Sequence, residues 1–312
     1  MTVLVTGATG LLGRRVVARL LDTGHSVRAM VRRPGTESAF ATPPTEVCYG
    51  DVTNPDALTE ACRDISEVIH LVAVIRGGDR QFRAVNRQGA ANVAAAAKEA
   101  GSVRRFIHVS ALGAADNPRL RYLYSKWQGE QEIISSGLPY VIIRPSLIFG
   151  PGDEFTTAVA ALVRTMPITP VIGSGNNRLQ PIHVDDVARC VVSSVSGNIR
   201  GNRVLEIGGP QRLSYNEVVS TVARAMGRKR LRLNIPLWKI RPAVAAMDII
   251  TPRAPINRAM LQLVTLRNVA ELDSVERVFG FRPRPMAGNI DHVNSITFGE
   301  GLRLNLGMAS RR

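Results

Sequence analysis

The stretch Val3-Leu4-Val5-Thr6-Gly7-Ala8-Thr9-Gly10-Leu11-Leu12-Gly13 passes from an apolar, β-branched run through a glycine loop into a helical pattern. Gly7 suits a tight turn, Gly10 lets a backbone approach a pyrophosphate, and Gly13 lets the following helix pack closely on the strand. The N–H groups at the start of that helix then face the phosphates. A glycine pattern alone is common. Set between a strand and a helix, it reads as the phosphate loop of a dinucleotide-binding βαβ unit, with Thr9, Leu11 and Leu12 in the same candidate cofactor-binding set.

Outward from this loop the alternation continues. Apolar β-rich runs near 26–31, 46–49, 67–72, 105–110 and 140–144 follow the first at 2–6, and helical patterns near 11–23, 55–63, 80–100 and 121–136 separate them. Strands that alternate with helices long enough for right-handed crossovers predict an α/β, Rossmann-type doubly wound parallel sheet. After about Gly150 the elements shorten and prolines multiply (Pro167, Pro170, Pro181, Pro210, Pro236, Pro242, Pro252, Pro255). The expected organisation is a Rossmann domain over 1–150 and a smaller C-terminal lobe over 151–312. Segments near 168–209 interleave with the first domain, and helices are expected near 184–196 and 214–227.

Composition narrows the function class. The 312 residues are 45% hydrophobic, which excludes a disordered chain. No run approaches the length of a membrane span; the most apolar helical stretch, Pro242 to Ile250, is short and carries Asp248. The N-terminal strand leads directly into the glycine loop, so no secretion signal is expected. Cys48, Cys62 and Cys190 have neither disulfide-framework nor metal-ligand spacing, so no metal is expected and a cytoplasmic setting is. The net charge of +15 favours anionic partners without choosing among phosphates, lipid and nucleic acid. With aromatic residues at 5% and no nucleic-acid-reading motif, nucleic acid is not the expected partner.

Further candidates lie at the strand ends. The second strand closes on Val31-Arg32-Arg33, where an NAD-selective protein carries an acid for the ribose hydroxyls; arginine suits a 2′-phosphate and hence NADP(H), although a solvated basic loop reads the same way. Asp51, in Gly50-Asp51-Val52, could meet an adenine amino group, and Ala73 could border the adenosine ribose; either could equally be loop chemistry. Tyr122 and Lys126 stand four apart on one helical face, an arrangement expected to favour the phenolate of a proton-transferring tyrosine. Ser110 could hydrogen-bond the same substrate oxygen or simply bond backbone at its strand end.

Taken in order, Thr6–Gly13 (TGATGLLG), His108–Ala114 (HVSALGA), Tyr122–Glu130 (YLYSKWQGE), Ile142–Asp153 (IIRPSLIFGPGD) and Gln180–Ala188 (QPIHVDDVA) resemble the short-chain dehydrogenase/reductase superfamily. The resemblance is to its extended and atypical branches, near the NmrA-like and epimerase-like groups. Within these it is similar to bacterial relatives of the NAD(P)-binding accessory subunit of respiratory complex I. It runs from Met1 to about Gly209 and then thins to the ending Phe279-Gly280-Phe281-Arg282-Pro283.

The resemblance implies that Gly7, Gly10 and Gly13 hold the pyrophosphate, Arg32 the 2′-phosphate, Asp51 the adenine and Ala73 the adenosine side. Asn86 falls on the superfamily's helix-four asparagine. Tyr122 would be the acid/base and Lys126 the ligand of the nicotinamide ribose, while Pro145 follows the strand flanking the nicotinamide. His183, Asp185 and Asp186 fall on the motif tying the second lobe to the first, with an aspartate expected as a helix N-cap. Where extended-branch epimerases carry the catalytic hydroxyl of strand five, this chain has Ala111.

Two functions compete. One is an NAD(P)H-dependent oxidoreductase or epimerase acting on a carbonyl or alcohol of an unidentified small molecule or quinone, with NADP expected and NAD allowed. The other is a cofactor-holding accessory or assembly protein of a quinone-linked membrane complex. For the second, the segment Ile235-Pro236-Leu237-Trp238 with Lys239 and Arg241 suits docking on an anionic membrane face or a protein complex at the membrane periphery. The same segment could instead line a substrate pocket.

Overall fold

The computed structural model describes residues 1–195, 199–240, 242, 244, 261, 266 and 268–308. Arg241, Asp248, Pro252 and Pro255, singled out above, lie outside the described residues, as does most of the stretch from Pro242 to Ile250. Two compact units divide the chain, one of Met1–Pro145 with Val184–Ile207, the other of Ser146–His183 with Gly208–Arg312.

The first unit is built on a seven-stranded sheet. Its strands are β1 (Thr2–Thr6), β2 (Ser26–Val31), β3 (Glu46–Tyr49), β4 (Glu67–His70), β5 (Arg105–Val109), β6 (Tyr140–Pro145) and β11 (Arg203–Ile207), in the order β11-β6-β5-β4-β1-β2-β3. Every pairing is parallel. The strand order therefore reverses beside β1, and the crevice at the carboxyl ends of β1 and β4 is where such sheets take ligands. The expected doubly wound fold is present. Six strands match the expected runs, β4 closing two residues early at His70, and the seventh comes from the later segment Arg203–Ile207.

The helices α1 (Leu11–Asp22), α2 (Pro55–Ala61), α3 (Asp79–Gln81), α4 (Gly89–Glu99), α5 (Arg121–Ser135) and α7 (Val184–Ser193) cover this sheet. Asn54 caps α2 by accepting the Asp56 N–H, with Pro55 at the first helical position. The alanine run of α4 lies against the sheet, Ala90, Val93, Ala94, Ala96 and Ala97 packing with Leu58, Ile65, Val68 and Phe106. Small side chains let that helix approach closely. The expected single helix over 80–100 is interrupted by a π-helical segment, Phe82–Gln88. Its Asn86 side chain is held by the backbone of Val74 and by Ser125, which fixes the widened turn.

Among its described residues the second unit has three short strand pairs: β7 (Ile148–Phe149) with β10 (Ile182–His183), β9 (Arg178–Leu179) with β12 (Leu213–Ser214), and β8 (Ile168–Ile172) with β13 (Leu231–Ile235). Helices α6 (Glu154–Thr165) and α8 (Tyr215–Ala225) close its core with Phe149, Phe155, Val171, Leu179 and Met286. Both are capped from the sequence. Asp153 accepts the Thr156 N–H, and Ser214 forms a capping box with Glu217. The N-cap expected from the aspartate before Val187-Ala188, Asp186, is not formed. Because α7 begins at Val184, both aspartates sit inside its first turn, where they complement the helix dipole.

Candidate functional site

The glycine loop follows β1 directly. Gly7 has φ +74°, a conformation that L side chains rarely adopt, and the Gly10 N–H donates back to its carbonyl at 3.0 Å, closing the turn. A Cβ on Gly13 would lie 2.2 Å from the Gly7 oxygen and 2.6 Å from that of Ala8, so the helix rests on bare backbone. No side chain caps α1 and its first turn holds no acid, which leaves that terminus suited to an anion. Thr9, Leu11 and Leu12 are half-buried around it, and Gly10 is exposed.

Arg32 and Arg33 follow β2 and are exposed, with no ion pair holding either among the described residues. A hollow of about 330 Å³ beside α1 is lined in part by Arg14, Arg15 and Phe40; Arg14 carried no sequence signal. Arg15 is engaged, its Nε donating to Asp185 at 2.9 Å. Asp51 accepts the Thr53 N–H and hydroxyl at 2.9 and 2.8 Å, an Asx turn. Val52 is core, and its carbonyl accepts from Asn92. Ala73 is exposed after β4.

At the end of β5 the geometry is tighter. Lys126 is 1% exposed, and its Nζ donates to the Val109 carbonyl at 2.8 Å and lies 3.4 Å from His108 Nε2. Burial brings the Lys126 pKa down to about 8, opposed by the nearby Glu130 carboxylate. Ser110, the next residue along the strand, is buried, and its Oγ has no hydrogen-bond partner among the described residues. The backbone-bonded serine allowed by the sequence is therefore not what is seen. Pro145 ends β6 and accepts the Leu112 N–H at 2.9 Å.

Tyr122 lies one turn before Lys126 on the buried face of α5, its ring 6.3 Å from that of Phe82. The expected lowering of its pKa by Lys126 is not found. Burial pushes the phenol up to about 12, because desolvation outweighs any help from an ammonium that points to the Val109 carbonyl. Asn86 is buried and turned to the Val74 backbone, a supporting position for the start of the π-helical segment.

Sequence reasoning missed two histidines. His70 closes β4 and pairs in register with His108, one residue before the end of β5, and their rings stack at 5.2 Å. His70 Nδ1 is 2.7 Å from the Thr6 hydroxyl, so Thr6, His70, His108 and Lys126 form one buried polar row across three strand ends and α5. The available signal was a histidine at the matching place in two apolar runs, Val68-Ile69-His70-Leu71 and Phe106-Ile107-His108-Val109. The ion pair of buried Glu130 with Arg144, bonded at 2.9 and 2.6 Å, was also unforeseen.

These residues fit a dinucleotide: a glycine turn with bare backbone, an uncapped helix terminus and exposed arginines after β2. Known proteins agree. Residues 7–197 match the family model described as NAD(P)H-binding. A ceramide reductase of Caulobacter vibrioides is 33% identical over 249 residues, 79% of this chain and 77% of that protein. The mitochondrial NADH dehydrogenase [ubiquinone] 1 alpha subcomplex subunit 9 of Arabidopsis thaliana is 26% identical over 281 residues, 86% of this chain and 68% of that one. The Escherichia coli NADPH-dependent quinone oxidoreductase QOR2, solved with NADPH, shares the fold at a TM-score of 0.75 and 21% identity, over 93% of this chain and 99% of that one. From its glycine loop through α7, this chain belongs to the NAD(P)H-binding family of Rossmann-fold oxidoreductases.

Proposed function

We propose that the chain is an NADPH-dependent reductase of a carbonyl group on a lipid-soluble substrate. The observation that carries this reading is the Ser110 hydroxyl, buried and without a hydrogen-bond partner among the described residues, next in the chain to the carbonyl that anchors Lys126. A buried hydroxyl left unpaired costs stability, and a substrate oxygen would satisfy it. Bound NADPH would supply the hydride. Tyr122, whose raised pKa keeps its phenol protonated at neutral pH, would deliver the proton to the carbonyl oxygen while Ser110 donates a hydrogen bond to it. Lys126 would hold the nicotinamide ribose, and Arg32 with Arg33 would pair with the 2′-phosphate.

The lipid-soluble character of the substrate draws on the relatives, whose names carry ceramide and ubiquinone. The alternative, a cofactor-holding accessory protein with little turnover, is favoured by Ala111 standing where extended-branch epimerases carry their hydroxyl. Single-turnover oxidation of NADPH with long-chain ketones and with ubiquinone separates the two. Tyr122→Phe should lower the rate by about 10²- to 10⁴-fold with NADPH affinity unchanged. A wild-type protein that holds NADPH but oxidises it with none of these would establish the accessory reading.

A further inference from the structure

We infer that the second unit carries a docking face for an anionic lipid bilayer. In the β8–β13 ribbon the register pairs Leu231 with Ile168 and Leu233 with Pro170. Side chains alternate along each strand, so these four share one face. On the other face Thr169 and Val171 of β8 are fully buried, while Arg232 of β13 is exposed and reaches across to the Asn216 carbonyl and the Ser220 hydroxyl. At its start the first face is exposed, Leu231 being 74% exposed, Leu233 57% and Ile168 47%, whereas further along Ile172 is buried in the core. Beyond the end of β13, Trp238 is 70% exposed and lines a shallow hollow of about 600 Å³ with Gly173, Ser174, Asn234, Pro236 and Leu237.

An apolar face of this size needs an occupant, and the surrounding charge selects it. From Val218 to Ile240 the chain holds six cations (Arg224, Arg228, Lys229, Arg230, Arg232 and Lys239) and no acid. Lys239 Nζ lies 5.1 Å from the centre of the Trp238 ring. Exposed aliphatic side chains on a segment rich in cations and free of acids, with a tryptophan beside Lys239 at its end, match the layering of a membrane interface: acyl chain, headgroup phosphate, and the amphipathic zone between them. A second copy of this chain would bring like charge against like, which charge repulsion opposes. A phosphate-bearing bilayer brings the complement. This inference does not depend on the reductase reading, since it concerns residues of the second unit alone.

The full-length protein should co-sediment with phosphatidylcholine vesicles containing about one third phosphatidylglycerol at least tenfold more than with pure phosphatidylcholine vesicles, an excess that salt reduces. In a Trp127→Phe background, brominated lipid should quench the emission of Trp238. The triple variant Leu231→Ser/Leu233→Ser/Trp238→Ala should lose vesicle binding while keeping its circular dichroism and NADPH affinity; Lys229→Glu/Lys239→Glu provides a second variant that leaves the apolar face intact and should also lose it. Undiminished binding by the triple variant would show charge attraction without a docking face and overturn the inference. So would the absence of vesicle binding, or a concentration-dependent dimer that the same substitutions abolish. Loss of NADPH oxidation with vesicle binding retained would instead count against the reductase reading alone.

Discussion

Gly10 and Gly13 stand three residues apart, one capping α1 and the other in its first turn, and answer to different constraints. An added Cβ at Gly13 meets two carbonyl oxygens within 2.6 Å, whereas at Gly10 its single near contact is the Gly7 oxygen at 3.2 Å. Gly13→Ala should therefore destabilise the fold itself, by about 1–3 kcal/mol as overpacking does, read as a lower urea midpoint without cofactor. Gly10→Val should nearly preserve that midpoint and weaken NADPH binding, because its side chain enters the space a pyrophosphate must approach. Equal loss of stability in both would sink the distinction. At Arg32 the effect belongs to the ligand: Arg32→Asp should bring the affinities for NADPH and NADH together, and a wild type that binds both equally would refute the role given to the arginine. Such residues were legible because the loop writes its backbone needs in glycine. The sign of the Tyr122 shift was not, since burial decides it and burial is a property of the packed helix.

Helix α5 shows what sequence periodicity conveys and what it hides. Its spacing places Tyr122, Lys126 and Glu130 on one face, but not which cations and carbonyls that face meets. Glu130 is fully buried, and Arg144 of β6 grips it with two hydrogen bonds while also reaching Glu206 of β11 at 3.3 Å. Removing one partner of a buried pair strands the other. Arg144→Leu should thus cost about 3–5 kcal/mol in a denaturant titration, and Glu130→Leu/Arg144→Leu together should cost much less than that single change. A double variant as unstable as Arg144→Leu would mean that the pair is merely packing. Elements with helix or strand periods and their own caps, such as α2 and α8, were legible. Strand β11 was not, because Arg203-Val204-Leu205-Glu206-Ile207 joins the sheet beside β6, each residue pairing with one 62 positions earlier, as Arg203 with Val141. The π-helical turn at Phe82–Gln88 was hidden for a similar reason: its cause is the Asn86 side chain reaching the Val74 backbone.

At the scale of the whole molecule, a chain with net charge +15 carries two histidines that the fold keeps neutral. Burial, reinforced by the Lys126 charge, lowers the His70 pKa from 6.5 to about 3, and the same causes hold His108 well below its ordinary value. The unfolded chain therefore binds protons that the folded one refuses as pH falls below about 6.5. Stability must decline through that window, by up to about 1.4 kcal/mol per pH unit for each such group. For Lys126 the window lies higher. Its folded pKa of about 8 is below the ordinary 10.5, so stability should rise as pH increases between those values. Urea midpoints of the cofactor-free protein from pH 7 to pH 4 should fall, with carboxylates contributing to the slope in every variant. His108→Leu removes one refusing group and the polar contact to Lys126 with it. Its midpoint at pH 7 is expected to drop, yet its decline toward pH 4 should be shallower than that of wild type by roughly one proton's worth. Parallel wild-type and His108→Leu curves would show that the buried row of Thr6, His70, His108 and Lys126 does not govern the acid response. The carboxylates would then account for it alone.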